Sequence, residues 1–254
     1  MKFAFKNIVA AAAFVAAGAA SAAVITVPTD GTTVTQGVTV SGAGTLSFSE
    51  LLLGALDTGK IVITPYGTAT PNIVFDEEGY YASAGVSAPL TSLKLDSVTG
   101  QILSAQTTGG ATQTAKKLKS VSTAGGFLTV TDINVDMTTK NVYATIIGAN
   151  GVGQLNNFHL WNAAAITGAT VFTGPGEYTT AISGLSITTE GFNVFSQALS
   201  LTGIGLVALQ GVQNYGTITS VITATPAIPE PSTYALMGVG LVSMGLMARR
   251  RRAQ

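Results

Sequence analysis

The sequence predicts a mainly β protein, an antiparallel sandwich or barrel with one or two short helices, set between an N-terminal signal helix and a C-terminal transmembrane helix. Three observations carry this. Residues 23–228 are rich in Thr, Ser, Gly, Val and Ile, which suit pleated surfaces and turns. Their first stretch, VITVPTDGTTVTQGVTVSG, alternates apolar and hydroxyl residues, as a strand with one buried face requires. Both ends of the chain have a different composition: each joins an uncharged apolar run to a basic cluster. The chain therefore divides into 1–22, 23–228 and 229–254.

The first segment has three parts in order. MKFAFKN is a positively charged start, IVAAAAFVAA is an apolar stretch too short to span a bilayer, and GAASAA supplies small residues. Ala20 and Ala22 fit a cleavage site of the A-x-A kind, so a secretory signal peptide ending at Ala22 or Ala23 is expected. The mature protein then starts outside the cytoplasm.

Within the body, Asp30-Gly31 and Asn150-Gly151 predict hairpin turns, because both pairs tolerate positive φ. GKIVITPYG predicts a strand broken at Pro65. LKLDSVTGQILSA (93–105) and INVDMTTKNVYAT (133–145) share one pattern, in which an Asp ends a strand and a Thr three residues later sits in the turn. Ser47 and Glu50 form a capping-box pattern ahead of Leu51, Leu52 and Leu53, predicting a short helix. Phe192, Phe195 and Leu199 share one face of a second. TGIGLVALQG is apolar and Gly-broken, and suits either a helix or a buried strand. Residues 106–126 suit a mobile excursion or two strands with a polar connection.

Charge excludes one class of partner. In residues 23–228 six lysines and no arginine face eleven carboxylates, a net −5, so the body offers nucleic acid no basic surface. Without cysteine there is no disulfide framework, thiolate metal site or cysteine nucleophile. The lone histidine, His159, lies in NNFHLW, where strand alternation would put it on one face with Trp161. That pair is the candidate ligand-binding site, an imidazole beside an aromatic platform suited to a sugar or a porphyrin; the plain alternative is a half-exposed strand histidine beside a packing residue. No nucleophile elbow accompanies it, and no catalytic residue is assigned.

Asp132, Asn134 and Asp136 alternate like the start of a calcium loop. Met137 and Tyr143 stand where that loop needs Gly and Glu, so the three are expected on the solvent face of a strand. Asp76, Glu77 and Glu78 suit a weak surface calcium site or solvated carboxylates, and Tyr80 and Tyr81 beside them a sugar-stacking surface. GANGVG lacks the Lys-Ser/Thr of a phosphate loop. A resident metal or cofactor is not expected.

The tail opens with Pro229, Glu230 and Pro231, continues through the uncharged run TYALMGVGLVSMGLMA, and reaches Arg249, Arg250, Arg251 and Arg252. As a helix that 16-residue run measures about 24 Å, short for a bilayer unless the arginines snorkel. The arginines should stay cytoplasmic. These three parts resemble the PEP-CTERM sorting signal of Gram-negative bacteria. The resemblance implies recognition by an exosortase, a membrane-embedded cysteine transpeptidase-like enzyme, with cleavage near Pro-Glu-Pro. It also implies transient residence in the inner membrane, then delivery to the cell surface or an exopolysaccharide-containing biofilm matrix. Separately, GFLTVTDINVD, VYATIIG and ISGLSITTEGFNVF are similar in rhythm to HtaA-type haem-binding surface domains. That resemblance implies haem held by a Tyr and a His, for which His159 is the one histidine present.

The function expected is therefore a non-enzymatic surface or matrix protein that acts through its surface, on polysaccharide or on matrix proteins. A haem- or carbohydrate-binding module and a secreted hydrolase are the alternatives.

Overall fold

The computed structural model describes residues 23–227 and 236–244. The signal segment with Ala20 and Ala22, the motif Pro229–Pro231 and the cluster Arg249–Arg252 lie outside those residues.

Thirteen strands and three helices make up the body. The strands are β1 (Val24–Pro28), β2 (Asp30–Thr35), β3 (Val38–Phe48), β4 (Val62–Tyr66), β5 (Thr70–Phe75), β6 (Tyr81–Asp96), β7 (Ile102–Thr107), β8 (Gly110–Ala115), β9 (Gly126–Asp136), β10 (Asn141–Gly148), β11 (Gly153–Gly168), β12 (Gly176–Ile187) and β13 (Gly216–Pro226). The helices are α1 (Glu50–Thr58), α2 (Thr189–Ala198) and α3 (Gly203–Gln210).

All pairings are antiparallel, and eight strands close a ring. β9, β10, β11, β12, β13 and β3 pair in succession. β3 then pairs with β6, β6 with β7, and β7 returns to β9. Of the two expected architectures, the barrel is the one formed. Closure removes the free edges of the ring's own eight strands, leaving β1, β2, β4 and β5 paired on one side only.

β6 and β9 change neighbours along their length. The first half of β6 pairs with β5, and β9 pairs with β8 before it reaches β7. β8 carries β4 on its far side, so β4, β5 and β8 form flaps beside the ring. Gly110, opening β8, has a close-approach role: a Cβ there would stand 1.9 Å from the Val130 carbonyl oxygen.

One hydrophobic cluster fills the half of the ring under the helices, with Leu46, Val130, Trp161, Leu185, Phe195 and Tyr215 among its members. A second, with Val40, Leu93, Leu95, Ile102, Tyr178 and Ile222, fills the other half. Both lie wholly within residues 24–226. The short helix at 236–244 adds nothing to either, and its Leu236, Met237, Val239, Leu241, Val242 and Met244 are all exposed. Among the described residues, 23–227 thus hold both core clusters entire and form one packed unit.

The first and last residues of that unit meet one rim. The Ala23 N–H donates to Ser97 Oγ, and the Ala227 N–H donates to the Gly37 carbonyl. Ser97 and Gly100 line one depression together with Gln36 and Val38. The helices close the opposite end, since β3 runs from that rim at Val38 to Phe48 just before α1.

Several local expectations hold. Asn150 (φ 54°) and Gly151 (φ 85°) turn the chain between β10 and β11. β6 ends at Asp96 and β9 at Asp136, and each carboxylate accepts backbone N–H bonds from the two turn residues that follow. Phe195 on α2 and Leu199 at its C-cap are buried, and TGIGLVALQG becomes α3.

Others are corrected. Ser47 stays in β3, paired with Thr217, and Ser49 caps α1 by accepting from the Leu52 N–H at 3.1 Å. The hairpin joining β2 to β3 turns at Gln36 and Gly37, both at positive φ, while Asp30 folds back on Thr32 and Thr33. Pro65 does not break β4, because β4 is an edge strand and needs no outward N–H there. Residues 106–126 take the second of their two expected forms, with the end of β7, all of β8 and a polar connection into β9.

The Asp turns make stability sensitive to acid. Hydrogen bonds from Thr99 and Val98 hold the Asp96 carboxyl below the ordinary carboxylate range. Burial alone would raise Asp136, but bonds from the Thr138 hydroxyl and the Thr138 and Thr139 N–H groups outweigh it and leave it lowered. A carboxyl lowered in the folded state stabilises above its unfolded pKa of about 4, and that stability drains as pH falls through the folded value. Melting temperatures at neutral pH and about pH 3 should therefore lie closer together in Asp96→Asn and Asp136→Asn than in the parent. An unchanged gap would refute the assignment.

Candidate functional site

His159 and Trp161 do not share a face. Across the β10–β11 pair, Trp161 faces Val142 and His159 faces Tyr143, so the register skips Leu160. This bulge turns both Leu160 and Trp161 inward, where they are fully buried. Trp161 packs 6.4 Å from the Tyr215 ring, which meets Phe195 at 6.1 Å. Burial pushes the Tyr215 phenol far above its ordinary pKa.

His159 stays on the outer wall, half-buried. Its ring lies 5.2 Å from Tyr143, and its Nε2 is 3.0 Å from Asn162 Oδ1.

Beside Tyr143 a polar groove of about 260 Å³ opens on the same wall. Its lining includes Gln106, Thr108, Asp132, Asn134, Tyr143 and Asn157. Two irregularities make it. At Asp132 (φ 52°) β9 passes from β8 to β7, and at Asn157 (φ 49°) β11 carries one extra residue against β10. Ladder hydrogen bonds are lost at both points, and the wall parts.

Asp132 is the groove's one carboxylate. Its Oδ1 accepts from the Gly109 N–H and Thr131 Oγ1, both at 3.1 Å, and from Thr108 Oγ1 at 3.4 Å. As expected, Asp132, Asn134 and Asp136 are partly exposed while Ile133 and Val135 point inward. The groove does not hold the two opposed carboxylates of a glycosidase.

Sequence reasoning missed Gln106, Thr108, Tyr143 and Asn157 as one surface. A signal was present: Asn-Asn inside an apolar strand marks a left-handed residue and hence a bulge.

Of the other candidates, Tyr81 and Asp76 have partners within the fold. The Tyr81 hydroxyl donates to the Ile61 carbonyl and accepts from the Ile63 N–H, tying β6 to β4. Burial raises its pKa. Tyr80 is exposed, with the Lys60 ammonium 5.1 Å from its ring centre. Asp76 accepts the Tyr80 N–H in its own turn. Among the described residues, no group of three His, Cys, Asp or Glu side chains could hold a metal ion.

Haem can be tested against His159 directly. A porphyrin needs an apolar slot, and His159 has a half-exposed ring between Asn162 and Tyr143, next to a polar groove. These residues do not fit the group.

Residues 227–252 match the PEP-CTERM protein-sorting motif. None of the curated proteins matches the chain in sequence. Among solved structures, the body is weakly similar to the heme binding protein HtaB from Corynebacterium glutamicum, with 12% identity, 81% of this chain and 98% of that chain covered, and a TM-score of 0.44. The C-terminal domain of HtaA from the same organism gives 11% identity, 73% and 99% coverage, and a TM-score of 0.41.

The sorting motif implies an exported protein directed toward the cell surface, with an exosortase as its processing partner. Among the described residues no helix is long and apolar enough to cross a membrane.

Proposed function

We propose that this protein is a non-enzymatic binding module of the cell surface or extracellular matrix, and that its outer-wall groove takes a segment of hydroxyl-rich polysaccharide. Export rests on the C-terminal motif. The binding role rests on one observation, the groove itself: amide, hydroxyl and carboxylate side chains converge there beside an aromatic pair. Sugars are bound by that mixture, polar groups for the hydroxyls and a ring face for the C–H surface. The exosortase would cut near Pro229–Pro231 and leave the barrel outside the inner membrane. Until then the apolar helix at 236–244 would be held by the bilayer, which accounts for side chains that water would not favour.

Residues 23–227 immobilised on a column should retain the host's own exopolysaccharide. Tyr143→Ala and Asn157→Ala should each weaken retention about tenfold, the loss of roughly 1.4 kcal/mol. Equal retention by parent and variants would refute the groove. A haem-dependent Soret shift removed by His159→Ala, with no polymer retained, would replace this reading with the haem one.

A further inference from the structure

We infer that the α3 end of the barrel docks on an anionic lipid surface. α3, GIGLVALQ, carries no charge and is apolar on every side. A helix of that kind normally lies inside a protein or against lipid. Here only Gly205 and Leu209 are buried, while Ile204 is 57% and Val207 65% exposed.

The open face has a fixed neighbour. The Thr202 N–H donates to the Val121 carbonyl and the Ile204 N–H to the Ser120 carbonyl. A Cβ on Gly205 would come within 2.6 Å of the Val121 oxygen, so glycine permits this contact. The turn so attached carries exposed Leu118, at 43%, between Lys116, Lys117 and Lys119.

Charge then selects the occupant. Half of the body's six lysines stand in this turn, α3 and the turn themselves hold no carboxylate, and the neighbouring helix α1 brings Glu50 and Asp57 to the same end. A second copy meeting the same patch across a two-fold axis would set lysines against lysines. A polysaccharide would satisfy the lysines and leave Ile204 and Val207 in water. An anionic bilayer surface satisfies both, with apolar side chains at the acyl boundary and ammonium groups among the headgroups.

The test is flotation of residues 23–227 with phosphatidylcholine vesicles, with and without phosphatidylglycerol. The barrel should float with the anionic vesicles only, and less as salt rises. Replacing the three lysines together, Lys116→Gln, Lys117→Gln and Lys119→Gln, should lower partitioning on the order of a hundredfold. Ile204→Ser with Val207→Ser should abolish flotation and leave the unfolding midpoint within error. Flotation with neutral vesicles, flotation unchanged by either set, or none at all would overturn the inference. So would a dimer in sedimentation that Val207→Ser dissolves. The patch shares no residue with the polar groove, so polymer retention and flotation succeed or fail separately.

Discussion

Trp161→Ala should lower the stability of residues 23–227 by about 3–5 kcal/mol, read as a urea midpoint shift at unchanged slope. The indole is buried at 3% exposure and is the first ring of a contact series running through Tyr215 to Phe195. It also borders an internal void of about 40 Å³. Truncation would enlarge that void, and the cost of a core deletion grows with the space left unfilled. A ring fixed on a bulge between paired strands has little freedom to let neighbours collapse inward. Trp161→Phe should cost far less, because the indole Nε1 has no hydrogen-bond partner among the described residues and its removal spares a buried unpaired donor. His159→Ala, on the outer wall, should stay within about 0.5 kcal/mol of the parent. If His159→Ala were as costly as Trp161→Ala, the opposed placement of the two rings would be wrong.

Glu230→Ala in the full chain should leave the tail attached, so that the protein's intact mass still includes Arg249–Arg252 and the protein stays in the inner-membrane fraction. The parent should lose that tail and leave the fraction. Proline has no N–H to give a helix and restricts the residue before it, so the sequence Pro229-Glu230-Pro231 disfavours a helix and offers Glu230 as its one charge to a processing enzyme. Pro231→Ala should act in the same direction but more weakly, because alanine lifts the restriction proline places on helix formation at that position. A parent protein that keeps its arginines would end the processing proposal.

Much of the fold was legible because short-range chemistry decides it. Asp96 and Asp136 end their strands as their shared pattern predicts, since an Asp carboxylate can take two N–H groups of the turn it begins. The sorting tail was legible for a similar reason, as its three parts are contiguous. Closure was not legible: whether β7 bridges β6 and β9 depends on contacts between residues far apart in sequence.

The site failed on a single residue. Alternation places His159 with Trp161, and one bulge at Leu160 reverses the relation, because a one-residue slip exchanges the two faces of a strand. The groove was hidden for the same reason, being made where β9 and β11 depart from regular pairing.

The shared rim of Ala23 and Ala227 sets how the molecule can stand. Anything attached before one or after the other leaves from the same side, so a leader and a tail held in one bilayer would suspend the barrel like a bell from its crown. Its strands would then hang away from the bilayer, and the α3 end would be carried to roughly 30 Å, the reach of an eleven-residue tilted strand such as β3. A chain tethered in this way has one face it can never show to a distant partner and one it always shows. Release of the tail would end that restriction, so cutting the tether would change which partners the protein can meet without moving an atom of its core.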